Sequence, residues 1–169
     1  MKPGDHPEFF RLPPPPGRSR ESRIVLDERG RFWNGPFLID HEAMSRAFAS
    51  WIRRHPDDGR FILTNGYDWT YFTVKDAPYF VRGVHGEPDG GVALELFDGS
   101  IESLDPTAIS VSQDGVLYAR AKGGVYDARF LPPAQTQMTD FIDEGTAGEP
   151  CIRVRGKTYG IPDRSTPAV

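Results

Sequence analysis

The side chains able to do chemistry in this chain are few and scattered. Its four histidines, His6, His41, His55 and His85, share no helical or hairpin ligand spacing, and no His-x-x-x-His occurs. A zinc site needs several nitrogen or sulfur ligands converging on one ion, and these would have to be assembled from distant segments. The expectation is therefore solvated imidazoles and no metal. Cys151 is the one cysteine, which leaves no disulfide framework and no cysteine cluster. It falls in an apolar run without an adjacent histidine, as an inert buried thiol does. Residues 83–119 hold seven acids and no Lys or Arg. A hard cation needs several oxygen ligands, but the calcium-loop spacing is missing and most of these acids sit beside Gly or Pro, where they form turns. The belt reads instead as a solvated edge or a face for a basic partner. No Gly-x-Ser-x-Gly, phosphate loop or dinucleotide fingerprint occurs. No catalytic residue and no cofactor is assigned.

The aromatic residues carry more information. Trp33, Tyr67, Trp69, Tyr71 and Tyr79 fall on neighbouring strand-like segments, where they line either a core or a ligand pocket. The candidate binding set is Trp33, Tyr67, Asp68, Trp69, Asp76 and Arg129, with Asp68 and Arg129 as polar handles. Asp76 also suits fixing its own Asp-Ala-Pro turn through a side-chain-to-backbone hydrogen bond. A rival enzymatic reading pairs Asp68 with His85 as acid and base.

The elements that must hold these residues follow from periodicity and turn chemistry. Residues 1–22 read as an extended leader. Pro13 to Pro16 favour a polyproline II rod, Arg18, Arg20 and Arg23 follow, and Phe9, Phe10 and Leu12 are placed to pin the segment down. Such a rod also suits docking to a Pro-motif reader. Residues 23–34 read as a hairpin about Asp27–Gly30. Met44, Ala47, Phe48, Trp51 and Ile52 fall at helical spacing, so a helix is expected over about 41–54 with Asp40 as its cap. Phe61 to Thr64, Asn65-Gly66 and Tyr67 to Val74 read as a second hairpin. Strands follow at 79–81 and 92–97, and a hairpin turns at Asp114-Gly115. Pro132-Pro133 opens a second helix whose stripe is Ala134, Met138, Phe141 and Ile142, and a closing hairpin turns at Gly156.

These elements repeat in order. Each half runs hairpin, helix, strand, glycine turn, and Ile52 to Phe61 and Ile142 to Cys151 are both nine-residue steps. The expected fold is α+β: two related ββαββ-like modules with short antiparallel sheets, each packed by one amphipathic helix. The expected boundaries are a first module at 23–84, acidic connecting strands at 85–108, a second module at 109–161 and a tail at 162–169.

Composition narrows the setting. The chain has 169 residues, a formal charge of −4 and 38% hydrophobic residues, the profile of a globular protein rather than a disordered one. A sequence pI near 5.6 gives no nucleic-acid footprint. No run of about 20 apolar residues marks a membrane span, and Met1 to His6 carry no signal-peptide core. A reducing, cytoplasmic setting is the expectation. Six of the 16 prolines lie in the first 16 residues, so the proline excess belongs to the leader.

Several stretches resemble a known family. Gly30-Arg31-Phe32-Trp33-Asn34-Gly35, Asp58-Gly59-Arg60-Phe61-Ile62-Leu63-Thr64 and Val74-Lys75-Asp76-Ala77-Pro78-Tyr79 are similar to segments of the proteobacterial domain-of-unknown-function family 1285. Tyr118 to Gly124 and Asp127 to Phe130 extend the likeness, which spans most of 23–161. The family's Thr-Pro-Val-Glu-Lys turn stands here as Thr64-Asn65-Gly66-Tyr67-Asp68-Trp69, one residue longer and without the basic partner. The resemblance implies a two-module α+β fold of repeated motifs with a cleft between modules, and a link to signal transduction. The functional expectation is a non-catalytic binding or regulatory module whose ligand is a small molecule or a protein. Two alternatives stand beside it: a small hydrolase or lyase, and a scaffold recruited through the Pro-rich leader.

Overall fold

A computed structural model describes residues 1–165. Of the expected tail, residues 166–169 lie outside the described residues. The chain forms two compact units, Met1–Asp76 and Ala77–Val169, each with its own sheets. The fold is α+β, dominated by short strands, with two α-helices among the described residues.

In the first unit, β1 (Ile24–Leu26) and β2 (Phe32–Asn34) form the expected hairpin. Strand β3 (Phe37–Leu38) extends it at the edge beside β2. The hairpin turn is organised by Asp27. Its carboxylate, only 7% exposed, accepts from the backbone N–H groups of Arg29 and Arg31, the Arg31 guanidinium and the Trp33 indole. Burial works against ionisation, but these four donors outweigh it and hold the carboxyl below its usual range.

Helix α1 (Glu42–Ser50) follows, ending four residues before the expected limit. Its cap is His41 rather than Asp40, with Nδ1 accepting from the Met44 N–H at 3.3 Å. The apolar stripe runs past the helix because Ile52 belongs to strand β4 (Ile52–Arg54), paired across to Leu63. An Ile after a Trp satisfies helical spacing and a buried strand equally, and cross-strand pairing decides between them. Strand β5 (Phe61–Thr64) and β6 (Trp69–Tyr71) complete a three-stranded antiparallel sheet. The Asn65 side chain braces the turn between them, accepting from the N–H groups of Tyr67 and Asp68. The expected strand 67–74 breaks at Phe72, and β7 (Thr73–Val74) leaves to pair in parallel with β1.

The second unit holds a six-stranded sheet. Strands β8 (Tyr79–Gly86), β9 (Val92–Leu96) and β10 (Ile101–Ser103) form an antiparallel meander. Strands β11 (Ser110–Val111), β12 (Leu117–Ala121) and β13 (Tyr126–Phe130) form another, joined in parallel from β13 to β8. Helix α2 (Pro132–Met138) opens on its two prolines and caps the sheet. Gln137 accepts from the Val84 N–H at 2.7 Å and Gln135 from the Leu117 N–H at 3.1 Å, satisfying strand donors under the helix. As in the first unit, the helix stops short of the apolar stripe. Phe141 closes a 3-10 turn and Ile142 begins β14 (Ile142–Glu144). With β15 (Pro150–Val154) and β16 (Lys157–Gly160) it forms a three-stranded meander. Cys151 is buried on β15.

Asp27→Ala leaves an indole N–H and two backbone N–H groups without their acceptor, so urea unfolding at pH 7 is expected to show a loss of about 2–3 kcal/mol. Because the folded carboxyl titrates below its unfolded value, this contribution is present above about pH 4 and fades as the pH falls through the folded value. The gap between wild type and variant should therefore narrow on acidification. A gap independent of pH would refute the role.

Candidate functional site

The β4–β6 sheet has two apolar faces, because pairing places Ile62 opposite Tyr71 and Thr64 opposite Trp69 on one side, and Leu63 opposite Thr70 on the other. The leader covers the first face. It is not an extended tail over its first half: Pro3–Asp5 and Pro7–Arg11 form 3-10 turns, and Phe10 is buried against Ile62 and Trp69. The Phe10 ring lies 6.0 Å from that of Trp69 and 6.1 Å from that of His55.

His55 is the polar hinge of this packing. It is 6% exposed, so the expectation of a solvated imidazole fails for it. Its Nε2 donates to the Phe10 carbonyl at 3.0 Å and its Nδ1 accepts from the Asp57 N–H at 3.1 Å, which assigns the Nε2–H tautomer. Apart from Asp57, its partners are distant in sequence: Phe10 lies 45 residues upstream, and Trp69 and Tyr71 both stand on β6. His55 stacks at 5.1 Å from Trp69 and 5.6 Å from Tyr71.

Arg20 crosses the same face. Its guanidinium stands 4.4 Å over the Trp69 ring and donates to the Asp68 carboxylate and the Trp69 carbonyl. It also reaches the carbonyls of Leu12 and Pro13. Two buried donors here have no hydrogen-bond partner, Arg20 Nε and Trp69 Nε1. Outside them, Arg11 bridges to Asp57 and Arg60 binds Glu21 through two bonds. The Tyr71 hydroxyl donates to Asp58 at 2.7 Å. Burial first, and then the Asp58 carboxylate, push its phenol up to about 12.

On the opposite face, α1 and the sheet leave an open pocket of about 180 Å³. Phe48, Trp51, Leu63 and Ile24 give it apolar walls, with Asn65 and Asp68 among its polar lining. Thus Asp68 and Trp69 of the candidate set share this site. Tyr67 is 65% exposed on the adjoining turn, with Lys2 Nζ 5.5 Å from its ring. Trp33 is committed to Asp27, and Asp76 is half-buried at the last position of the first unit. Arg129 belongs to the second unit, over Tyr118 on β12. Phe48, Trp51 and His55 were missed by sequence reasoning. The helical stripe did contain Phe48 and Trp51, but it marked them only as core.

Of the rival acid/base pair, Asp68 is bound to Arg20, and His85 is largely exposed beside Glu95 at 3.4 Å. Glu95 is held below its usual range chiefly by Arg82, which donates to the same carboxylate. Among the described residues no cluster of three His, Cys, Asp or Glu is grouped to hold a metal ion. Nor is any helix there long and apolar enough to cross a membrane.

Phe10→Ala should cost about 3 kcal/mol in urea unfolding followed by tryptophan fluorescence, as expected for a buried phenylalanine and not for a residue of a loose tail. In an absorbance titration at 295 nm, Tyr71→Phe should remove a phenol that ionises near pH 12 while the ordinary transition near pH 10 persists. Loss from the ordinary transition instead would contradict the Tyr71–Asp58 bond.

No family model matches the sequence, and neither does any curated protein. Solved structures do. The chain is similar to a DUF1285 family protein from Silicibacter pomeroyi DSS-3, with a TM-score of 0.67 and 15% identity over 83% of this chain and 80% of that one. It is also similar to a DUF1285 family protein from Shewanella baltica OS155, with a TM-score of 0.57 and 14% identity over 72% of this chain and 94% of that one. At such identity the likeness is one of fold, and it falls on the family that the sequence motifs resemble.

Proposed function

We propose that this protein is a non-catalytic binding module, acting as a regulatory component of signal transduction, and that its first unit recognises an apolar side chain of a protein partner. The pocket between α1 and the β4–β6 sheet carries this reading. At about 180 Å³ it is smaller than the 300–1,000 Å³ usual for cofactors and drug-sized ligands. It is close to the size of a cavity that admits one benzene-sized group. A site of that size suits an anchor residue at the centre of a protein interface, where one buried aromatic supplies much of the affinity. The surrounding polar groups support binding over catalysis, because they are spent on structure: Asp68 on Arg20 and the Trp69 N–H, and Asn65 on the turn.

The leader supports a second, compatible reading as a scaffold. Pro13, Pro15 and Pro16 are exposed between the fixed points Phe10 and Arg20. A polyproline segment held at both ends loses little entropy on docking to a Pro-motif reader.

We propose that the two units are related copies. In each, a helix runs directly into a three-stranded antiparallel meander, β4–β6 after α1 and β14–β16 after α2. Ile52 and Ile142 open those meanders at matching places, paired to Leu63 and Ile152.

The pocket is tested with p-cresol as a probe of an aromatic anchor. Titration should produce saturable amide shifts at Thr70 and Asn65. Trp51→Ala should weaken the response about tenfold while the fold persists, a loss of about 1.4 kcal/mol. Shifts that are linear with concentration, or unchanged in the variant, would refute the reading.

A further inference from the structure

The second unit contains a larger concavity, about 540 Å³, between the β9–β10 hairpin and the β15–β16 hairpin. Val92, Leu104, Pro106 and Val154 give it apolar walls, and Arg155, Tyr159 and Ser103 bring three hydrogen-bond donors into them. This volume lies within the range of small-molecule sites.

The donors are available. Among the described residues, no carboxylate lies within ion-pair distance of the Arg155 guanidinium and the hydroxyls of Tyr159 and Ser103 have no protein hydrogen-bond partner, Arg155 and Ser103 being exposed and Tyr159 half-buried. Of the neighbouring acids, Asp89 is 85% exposed to solvent and stands 4.0 Å from Arg153 rather than at Arg155. Asp105 spends one carboxylate oxygen on the N–H and hydroxyl of Thr107, which hold its carboxyl below the usual range.

The backbone of Arg155 is fixed in place, while its side chain is exposed. It occupies the first central position of a two-residue hairpin turn with φ 53°, followed by Gly156 at 72°. That is the left-handed pair of a type I′ turn, where Asn-Gly is the favoured sequence and an arginine is not. Two bonds to the loop after β8 hold the turn: the Arg155 N–H donates to the Gly90 carbonyl at 3.0 Å, and the Gly156 N–H to Pro88 at 3.2 Å. The guanidinium lies against Gly91, which has no side chain to intervene. An arginine kept in a disfavoured conformation, aimed at no protein carboxylate and bordering a ligand-sized pocket, is placed for an external anion.

We propose that this pocket binds a small organic oxyanion with an apolar body, a carboxylate or a phosphate monoester. Arg155 takes the charged oxygens, Tyr159 and Ser103 donate to them, and Leu104, Val154 and Pro106 cover the apolar part. The ionised Asp105 in the same wall disfavours a small, multiply charged ion with no apolar body. The site does not depend on the pocket of the first unit.

The test uses the full chain, titrated separately with benzoate, phenyl phosphate, inorganic phosphate and benzyl alcohol, and followed by amide shifts and calorimetry. Saturable shifts at Leu104, Val154 and Tyr159 are expected with benzoate or phenyl phosphate. Whichever of the two binds more tightly identifies the headgroup. Arg155→Asn preserves the turn, since asparagine accepts the left-handed conformation, and should keep the melting temperature while weakening binding about tenfold or more. Tyr159→Phe should weaken it about threefold, as loss of one neutral donor does. No saturation with either organic anion at about 10 mM would overturn the proposal. So would equal binding by inorganic phosphate or benzyl alcohol, or an unchanged affinity in Arg155→Asn.

Discussion

A three-stranded sheet that is apolar on both faces has to be covered on both. In the first unit Phe48 of α1 and the following Trp51 border one face of β4–β6, and the segment the sequence presents as a leader covers the other with Phe10. Without that cover Ile62, Trp69 and Tyr71 would form an exposed apolar patch of the kind that drives association. Much of the unit's detail follows from it. His55 turns inward to bind the Phe10 carbonyl, Arg20 lies across the Trp69 ring, and the prolines are displayed because the residues on either side of them are fixed.

The energetic weights are unequal. The outer ion pairs that accompany the leader, Arg11 with Asp57 and Arg60 with Glu21, join side chains about half exposed. Pairs of that kind contribute little and are screened by salt. Burying one phenylalanine contributes about 1.5–3 kcal/mol and is not screened. The leader is therefore held by its apolar anchor, while the charges set its course across the sheet. Arg20 is a different case, its side chain only 16% exposed, and its Nε remains without a partner. Its position over an indole recovers part of that cost.

The parts of the fold legible in the sequence were those decided locally. Asp27 to Gly30 and Gly156 are turn-forming residues, and the hairpins expected around them are present. Both helices end early for one shared reason. Trp51-Ile52 and Phe141-Ile142 continue a helical stripe, yet each isoleucine is claimed by a strand partner ten or more residues away. His55 was unreadable in the same sense, since nothing local gives it a reason to be buried, whereas Phe10 was marked as an anchor by its apolar type alone and only its partners, Ile62 and Trp69, were hidden. Of the candidate site residues, Asp68 and Trp69 meet at one pocket because they are neighbours on β6 and its turn. Trp33 and Arg129 were grouped with them on residue type alone, and contacts made elsewhere claim both.

The distribution of two rare residue types gives the molecule a natural pair of reporters. All three tryptophans, Trp33, Trp51 and Trp69, fall in the first unit, and the single cysteine falls in the second. Each tryptophan sits in a packed setting, one bonded to Asp27, one beside Phe48 and one under the leader. Cys151 is 4% exposed inside a meander. Indole emission thus follows the opening of one unit, while thiol labelling follows the other. The wild-type sequence therefore allows the cooperativity between its halves to be measured without introducing a single probe.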